Sequence, residues 1–172
     1  MSGRFIELLR CLDATGVRFA VIGVSGANYY ATTTRTLFST LDRDLFLPPE
    51  PENLLAAWLC CRDNGLELGA GGEPLEEPLD LELATRVVDR LGQVSATATD
   101  GLHVDLTLTM AGFSFDRVWS DRRVFIVDDV EVPVARLAHI VASKERLGRA
   151  KDRLFLEAHR EALEELLSGD QE

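Results

Sequence analysis

Cysteine is scarce in this 172-residue chain: Cys11 and the adjacent Cys60 and Cys61 are all there is. Three such residues make neither a disulfide framework nor a zinc spacing, and they predict reduced, buried thiols in a cytosolic protein. No apolar run approaches the ~20 residues of a membrane span, so no membrane association is expected. The stretch Met1 to Glu7 lacks a signal-peptide core. Repeats and low-complexity tracts are absent. Positive charge is short: 18 Lys and Arg against 29 Asp and Glu leave a net charge of -11. That excludes broad, non-specific nucleic-acid binding, which needs a basic surface. The deficit is uneven, however. From Arg136 to Arg160 seven Lys and Arg face three Asp and Glu, while acids gather from Glu73 to Glu82. An acidic protein with one basic patch can still hold a polyanion the size of a nucleotide.

What is present fits one domain with a real core. Apolar residues at helical spacing predict a helix over Arg4–Ala14, ended by Gly16. Phe19–Ile22 reads as a buried strand, and Gly23 to Gly26 as a turn before a short helix over Ala27–Ala31. Thr32 to Thr36 reads as a polar loop. A strand at Leu41–Leu47 ends at Pro48 and Pro49, and a helix follows over Glu52–Arg62. Gly69 to Gly72 reads as a loop, Glu73 to Asp80 as an exposed, mobile segment, and Leu81–Leu91 as a helix. Asp100-Gly101 between alternating runs predicts a hairpin of Val94–Thr99 with Leu102–Thr109. Phe113–Trp119 reads as a helical turn. A second hairpin turns at Asp128-Asp129, and helices over Ala135–Leu147 and Ala150–Leu167 flank Gly148. The order predicts an α+β fold: a mixed sheet with helices on one side and a C-terminal helix pair. Residues 1–134 would form the core, with 135–172 packed on it as one compact domain.

Chemistry concentrates in Asp42-Arg43-Asp44. On a strand, i and i+2 share a face, which puts the two carboxylates roughly 7 Å apart. Such a pair suits a divalent cation, whose hard charge wants oxygen ligands. Asp105 lies on a later strand whose other face carries Val104, Leu106 and Leu108. Two strands carrying three inward carboxylates would be costly without a cation, and two metals held by such a cluster can position a triphosphate and activate a hydroxyl. The turn at Gly23, Ser25 and Gly26 offers N–H groups and a hydroxyl to phosphate. Lys144, Arg149 and Lys151 surround the joint of the last two helices and can take the triphosphate tail. His103, His139 and His159 have no metal spacing, and Ser25 has no readable His/Asp partner for nucleophilic hydrolysis.

These pieces resemble the nucleotidyltransferase superfamily that shares the DNA polymerase β palm. They look most like its small bacterial AbiEii-type and antibiotic-nucleotidyltransferase members. The resemblance runs from about Val17 to Leu156: a strand, a glycine turn, the Asp42-Arg43-Asp44 strand, Asp105 in His103-Val104-Asp105-Leu106, and the ending Lys144, then Gly148-Arg149-Ala150-Lys151-Asp152. Arg35 and Thr40 are similar to an Arg and Thr that often precede the Asp pair. The resemblance implies that Asp42, Asp44 and Asp105 bind Mg²⁺ or Mn²⁺, and that Asp105 also helps deprotonate the acceptor. It implies that Gly23, Ser25, Gly26, Arg35, Lys144, Arg149 and Lys151 bind the nucleotide. The implied reaction moves a nucleoside monophosphate from a nucleoside triphosphate to a hydroxyl of an RNA, a protein or a small molecule. The turn departs from the family pattern, reading Gly-Val-Ser-Gly rather than Gly-Ser or Gly-Gly. That departure supports an alternative: a catalytically inactive nucleotidyltransferase fold acting as an antitoxin-like binding or regulatory protein, with a protein partner. On a third reading, the acidic Glu73–Glu82 segment docks a basic partner.

Overall fold

The computed structural model describes residues 3–31, 38, 40 and 42–170. Alternating burial along the strands produces two unlike sheet faces, and that difference positions the site. The elements in order are α1 (Gly3–Ala14), β1 (Ala20–Ile22), α2 (Gly23–Tyr30), β2 (Asp42–Phe46), α3 (Pro51–Asp63), β3 (Glu67–Ala70), β4 (Glu73–Pro74) and α4 (Leu81–Asp89). Then come β5 (Val94–Thr97), β6 (His103–Thr107), α5 (Phe115–Asp121), β7 (Arg123–Val127), β8 (Val130–Val134), α6 (Leu137–Leu147), α7 (Ala150–Ala158) and α8 (Arg160–Asp170). The strands make one mixed sheet in the order β4-β3-β5-β6-β2-β1-β8-β7. β2 runs parallel to β6 and antiparallel to β1, and β1 runs parallel to β8.

One face is dry. Val21, Leu45, Val94, Ala96, Val104, Leu106, Val132 and Val134 join Phe5, Leu9, Leu54, Trp58, Leu83 and Ala84 from α1, α3 and α4 in the main core. Arg43 points to this side, its guanidinium 5.5 Å from the Phe5 ring centroid. Among the described residues, helices pack on the opposite face at one end. There Ala20, Ile22 and Phe46 pack with Phe115 and Val118 of α5 and Ile140 of α6 in a second, small core. The predicted α+β mixed sheet is present, with α5 and the Ile140 side of α6 on the second face.

Several boundaries differ from the sequence expectation. Gly23 to Gly26 do not form a separate turn; they are the first turn of α2. In the segments read as a loop and as exposed acid, Gly69–Ala70 and Glu73–Pro74 pair as the β3–β4 hairpin, with Gly71 and Gly72, both at positive φ, in its turn; residues 75–80 are irregular. The final helix is two: α7 stops at His159 and α8 begins at Arg160, so the expected C-terminal pair is a trio. The polar loop at Thr32–Thr36, and Arg35 with it, lies outside the described residues. Cys60 and Cys61 are buried free thiols, both pushed up to about 12 chiefly by burial. Among the described residues no helix is long and apolar enough to cross a membrane.

Candidate active site

Register decides which side chains meet. Asp44 stands opposite Asp105 across the parallel β2–β6 pair, and Asp42 opposite His103. On the other side of β6, Asp105 stands opposite Ser95 and His103 opposite Thr97. Directly paired residues share a face. Asp42, Asp44, His103, Asp105 and Ser95 therefore all stand on the face that carries the small second core, next to Ile22 and Phe46. The three aspartates stand on one side of the sheet in this arrangement of strands.

Asp44 is the carboxylate whose ionisation its surroundings oppose. Burial, then the charges of Asp105 and Asp42, raise its pKa from 3.8 to about 6, against the opposing pull of Lys144 and Lys151. A half-buried carboxylate among like charges gains most from a cation, and the donor set is all oxygen, so these residues fit a hard divalent ion. Among the described residues, no group of three His, Cys, Asp or Glu converges closely enough to hold a metal by itself.

The start of α2 closes over this carboxylate. A Cβ on Gly23 would lie 2.5 Å from Asp44 Oδ2, and Gly23 has φ of +67°, so the position excludes a side chain on two counts. The N-cap residue Ile22 is extended and gives no side-chain cap. The first N–H groups of α2 thus keep their partial positive charge beside Asp44. Ser25 is 4% exposed; its hydroxyl donates to Ile22 O at 2.9 Å and accepts from Asp44 N at 3.2 Å. The hydroxyl read as a phosphate ligand is occupied in tying the glycine turn to β2. Gly26 is a packing glycine: a Cβ there would meet Ile140 Cδ1 and Val21 O, both at 2.9 Å.

The basic residues arrive on α6 and α7. Lys144 and Lys151 act on the charge of Asp44, and Lys144 lies 5.1 Å from the Phe155 ring centroid. Asp152, 1% exposed at its side chain, organises the group. It accepts from Arg149 Nε at 2.6 Å and Arg149 Nη2 at 3.2 Å, and pairs with Lys144 Nζ at 3.5 Å. Burial pushes the Asp152 carboxyl up, but the Arg149 hydrogen bonds and the Lys144 and Arg149 charges outweigh it and hold the pKa below its ordinary value. Burial lowers the Lys144 pKa, opposed by Asp152 and Asp44. Thr40 exchanges hydrogen bonds of 3.2 Å with the Asp42 backbone and fixes the entry to β2.

Two residues that sequence reasoning did not assign to the site touch Asp105 directly. Ser95 Oγ donates to Asp105 Oδ1 at 2.7 Å, and the His103 Nε2–H donates to the same oxygen at 2.9 Å. The hairpin closes through three residues, Thr99-Asp100-Gly101, with the Ala98 N–H bonded to Leu102 O. A two-residue Asp100-Gly101 turn would have put Ser95 opposite Leu106, so the sequence did not signal its pairing with Asp105. Beside them opens a cavity of about 680 Å³, bounded by β3, β4 and β5, whose wall includes Arg62, Glu67, Glu73, Ser95, Thr97 and His103.

No protein-family model matches the chain, and no curated protein matches it significantly. Solved structures do. The lincosamide antibiotic adenylyltransferase LnuA, bound to lincomycin, superposes with a TM-score of 0.59 at 10% identity, covering 91% of this chain and 94% of that one. The antibiotic-resistance factor ANT(2'')-Ia superposes with a TM-score of 0.51 at 15% identity, covering 98% and 89%. These likenesses show a nucleotidyltransferase-like fold.

Proposed function

We propose that the chain is a divalent-cation-dependent nucleotidyltransferase of the antibiotic-nucleotidyltransferase type, acting on a hydroxyl of a small molecule. The observation that carries this reading is the pairing of Asp44 with Asp105 directly beside the uncapped start of α2. Carboxylates for a cation and N–H groups for a phosphate then lie side by side. Asp42 and Asp44 would hold Mg²⁺ or Mn²⁺, which when bound offsets negative charge on the phosphates. The first-turn N–H groups of α2 would receive the terminal phosphates, with Gly23 leaving room and Ser25 holding the turn rigid. Lys144, Arg149 and Lys151 would add positive charge along the tail.

In the reaction, the acceptor O–H gives its proton to the Asp105 carboxylate. The acceptor oxygen bonds to the α-phosphorus, the bond from that phosphorus to the bridging oxygen breaks, and pyrophosphate leaves with the electron pair. The cavity volume falls within the roughly 300–1,000 Å³ of small-molecule sites, and the chain's acidity disfavours long RNA. Both support a small acceptor, as do the lincomycin bound by one structural neighbour and the description of the other as an antibiotic-resistance factor.

The test is calorimetric titration of each nucleoside triphosphate with Mg²⁺ into the wild type and into Asp42→Asn/Asp44→Asn. Metal-dependent binding that the double substitution abolishes supports the reading. Binding to no triphosphate sinks it, and directs attention to a non-catalytic role with a protein partner.

A further inference from the structure

Asp105 has two oxygens in different surroundings. Oδ1 accepts from Ser95 Oγ at 2.7 Å and from His103 Nε2 at 2.9 Å. A carboxylate oxygen has two in-plane lone pairs, and two short donors use both. Ser95 belongs to β5, on the side of β6 away from β2 and its Asp44. Among the described residues Oδ2 has no hydrogen-bond donor. The side chain of Asp105 is 16% exposed, and no three-acid group suited to a metal forms around it among those residues. Ser95 and His103 also stand in the wall of the 680 Å³ cavity. They lie between that cavity and the carboxylates of β2.

We infer that Ser95 and His103 are positioning residues for Asp105: they clamp Oδ1 toward β5, keep the carboxylate off the cation held by Asp42 and Asp44, and leave Oδ2 for the acceptor hydroxyl entering from the cavity. This rests on the reading that Asp42 and Asp44 hold a divalent cation. A competing role has the opposite sign. If the two residues were supports behind a metal-ligating Asp105, removing them would loosen the ligand and weaken the metal, as loss of outer-shell partners does. A clamp that withholds a ligand does the reverse, because its removal frees a third carboxylate to bind.

The test is Mn²⁺ titration without nucleotide, read as free Mn²⁺ by electron paramagnetic resonance, with thermal melts to confirm folding. The proteins are the wild type, Asp44→Asn, Asp105→Asn, Ser95→Ala/His103→Leu, Ser95→Thr/His103→Gln and the triple variant Ser95→Ala/His103→Leu/Asp105→Asn. Asp105→Asn should bind Mn²⁺ as the wild type does. Ser95→Ala/His103→Leu should bind about tenfold tighter, a change at the low end of outer-shell effects. The triple variant should lose that gain, and Ser95→Thr/His103→Gln, which keeps both donors, should behave as the wild type. Should Ser95→Ala/His103→Leu not fold, the near-isosteric Asp105→Asn decides alone. The clamp is overturned, with the metal reading intact, if Asp105→Asn weakens Mn²⁺ as Asp44→Asn does, or if Ser95→Ala/His103→Leu binds no tighter. Mn²⁺ binding that is absent, or indifferent to Asp44→Asn, overturns the metal reading and the clamp together.

Discussion

Gly23 and Asp44 are in contact at the limit of packing: the Cβ that Gly23 lacks would fall 2.5 Å from Asp44 Oδ2. The glycine lets the start of α2 come down onto the carboxylate, and a methyl group there would push them apart. Gly23→Ala should therefore cost about 1–2 kcal/mol from its left-handed φ alone, with the clash added. The variant should also lose metal-dependent triphosphate binding. Urea denaturation and calorimetry read the two effects separately.

Asp44 should make stability depend on pH in the metal-free protein. Its pKa is raised to about 6 from 3.8, so the folded chain binds this proton more readily than the unfolded one. The stability it contributes is full below about 4 and is lost as pH rises through about 6. Asp44→Asn should remove that loss and be more stable than the wild type above pH 7 by about 1–2 kcal/mol, after solvent screening. Saturating Mg²⁺ should reverse the order by stabilising the wild type only. Melts at pH 5 and pH 8, with and without Mg²⁺, check this; a wild type and variant with the same pH dependence would count against it.

Metal affinity should follow the same group. A cation binds the ionised carboxylate, so Mg²⁺ affinity should fall as pH drops below about 6, with proton release on binding in that range. Calorimetry in buffers of different ionisation enthalpy measures the proton count.

Asp152 holds Lys144 and Arg149 from a buried position. Asp152→Ala should cost about 1.5–3 kcal/mol, the loss of charge-assisted hydrogen bonds, because Arg149 is half exposed and can turn to solvent while Lys144 is left without its partner. Its lowered pKa gives the opposite pH sign to Asp44: the stability it supplies is present above the ordinary carboxylate range and is lost as pH falls through its folded value. Asp152→Asn, milder in packing, should weaken triphosphate binding while leaving Mn²⁺ binding unchanged. Equal loss of both would contradict the division of labour between α7 and β2.

Gly26→Ala should destabilise the fold by about 1–3 kcal/mol, typical of overpacking. It meets a backbone carbonyl, Val21 O, as well as the movable Ile140 Cδ1. Ile140→Val should rescue only part of the loss, which chemical denaturation can resolve.

The carboxylates were legible because period-two alternation fixes faces, and Asp42, Asp44 and Asp105 each sit in a strand bounded by plain turn signals. The hairpin through Asp100-Gly101 was legible for the same reason. The β3–β4 hairpin was not: β4 has two residues, one of them proline, among exposed acids that read as solvated loop. The split between α7 and α8 was hidden too, because His159 interrupts the helix without a Gly or Pro to mark it. Ser25 was placed correctly in the chain, but its hydroxyl partners, Ile22 O and Asp44 N, depend on how α2 sits over β2. Ser95 and His103 join the site through strand register, which no local pattern states.

The order β4-β3-β5-β6-β2-β1-β8-β7 puts the charged strands β2 and β6 in the interior and the two-residue β4 at a rim. Interior strands, paired on both sides, exchange their amide hydrogens last, while a short rim strand opens readily. The reacting groups are thereby fixed in the stiffest part of the molecule, while one side of the neighbouring cavity's wall comes from its loosest. A lineage of such proteins could change what it recognises by rewriting the β3–β4 tip, at small cost to the bond-making groups. Its evolvability resides at an edge and its chemistry at the centre.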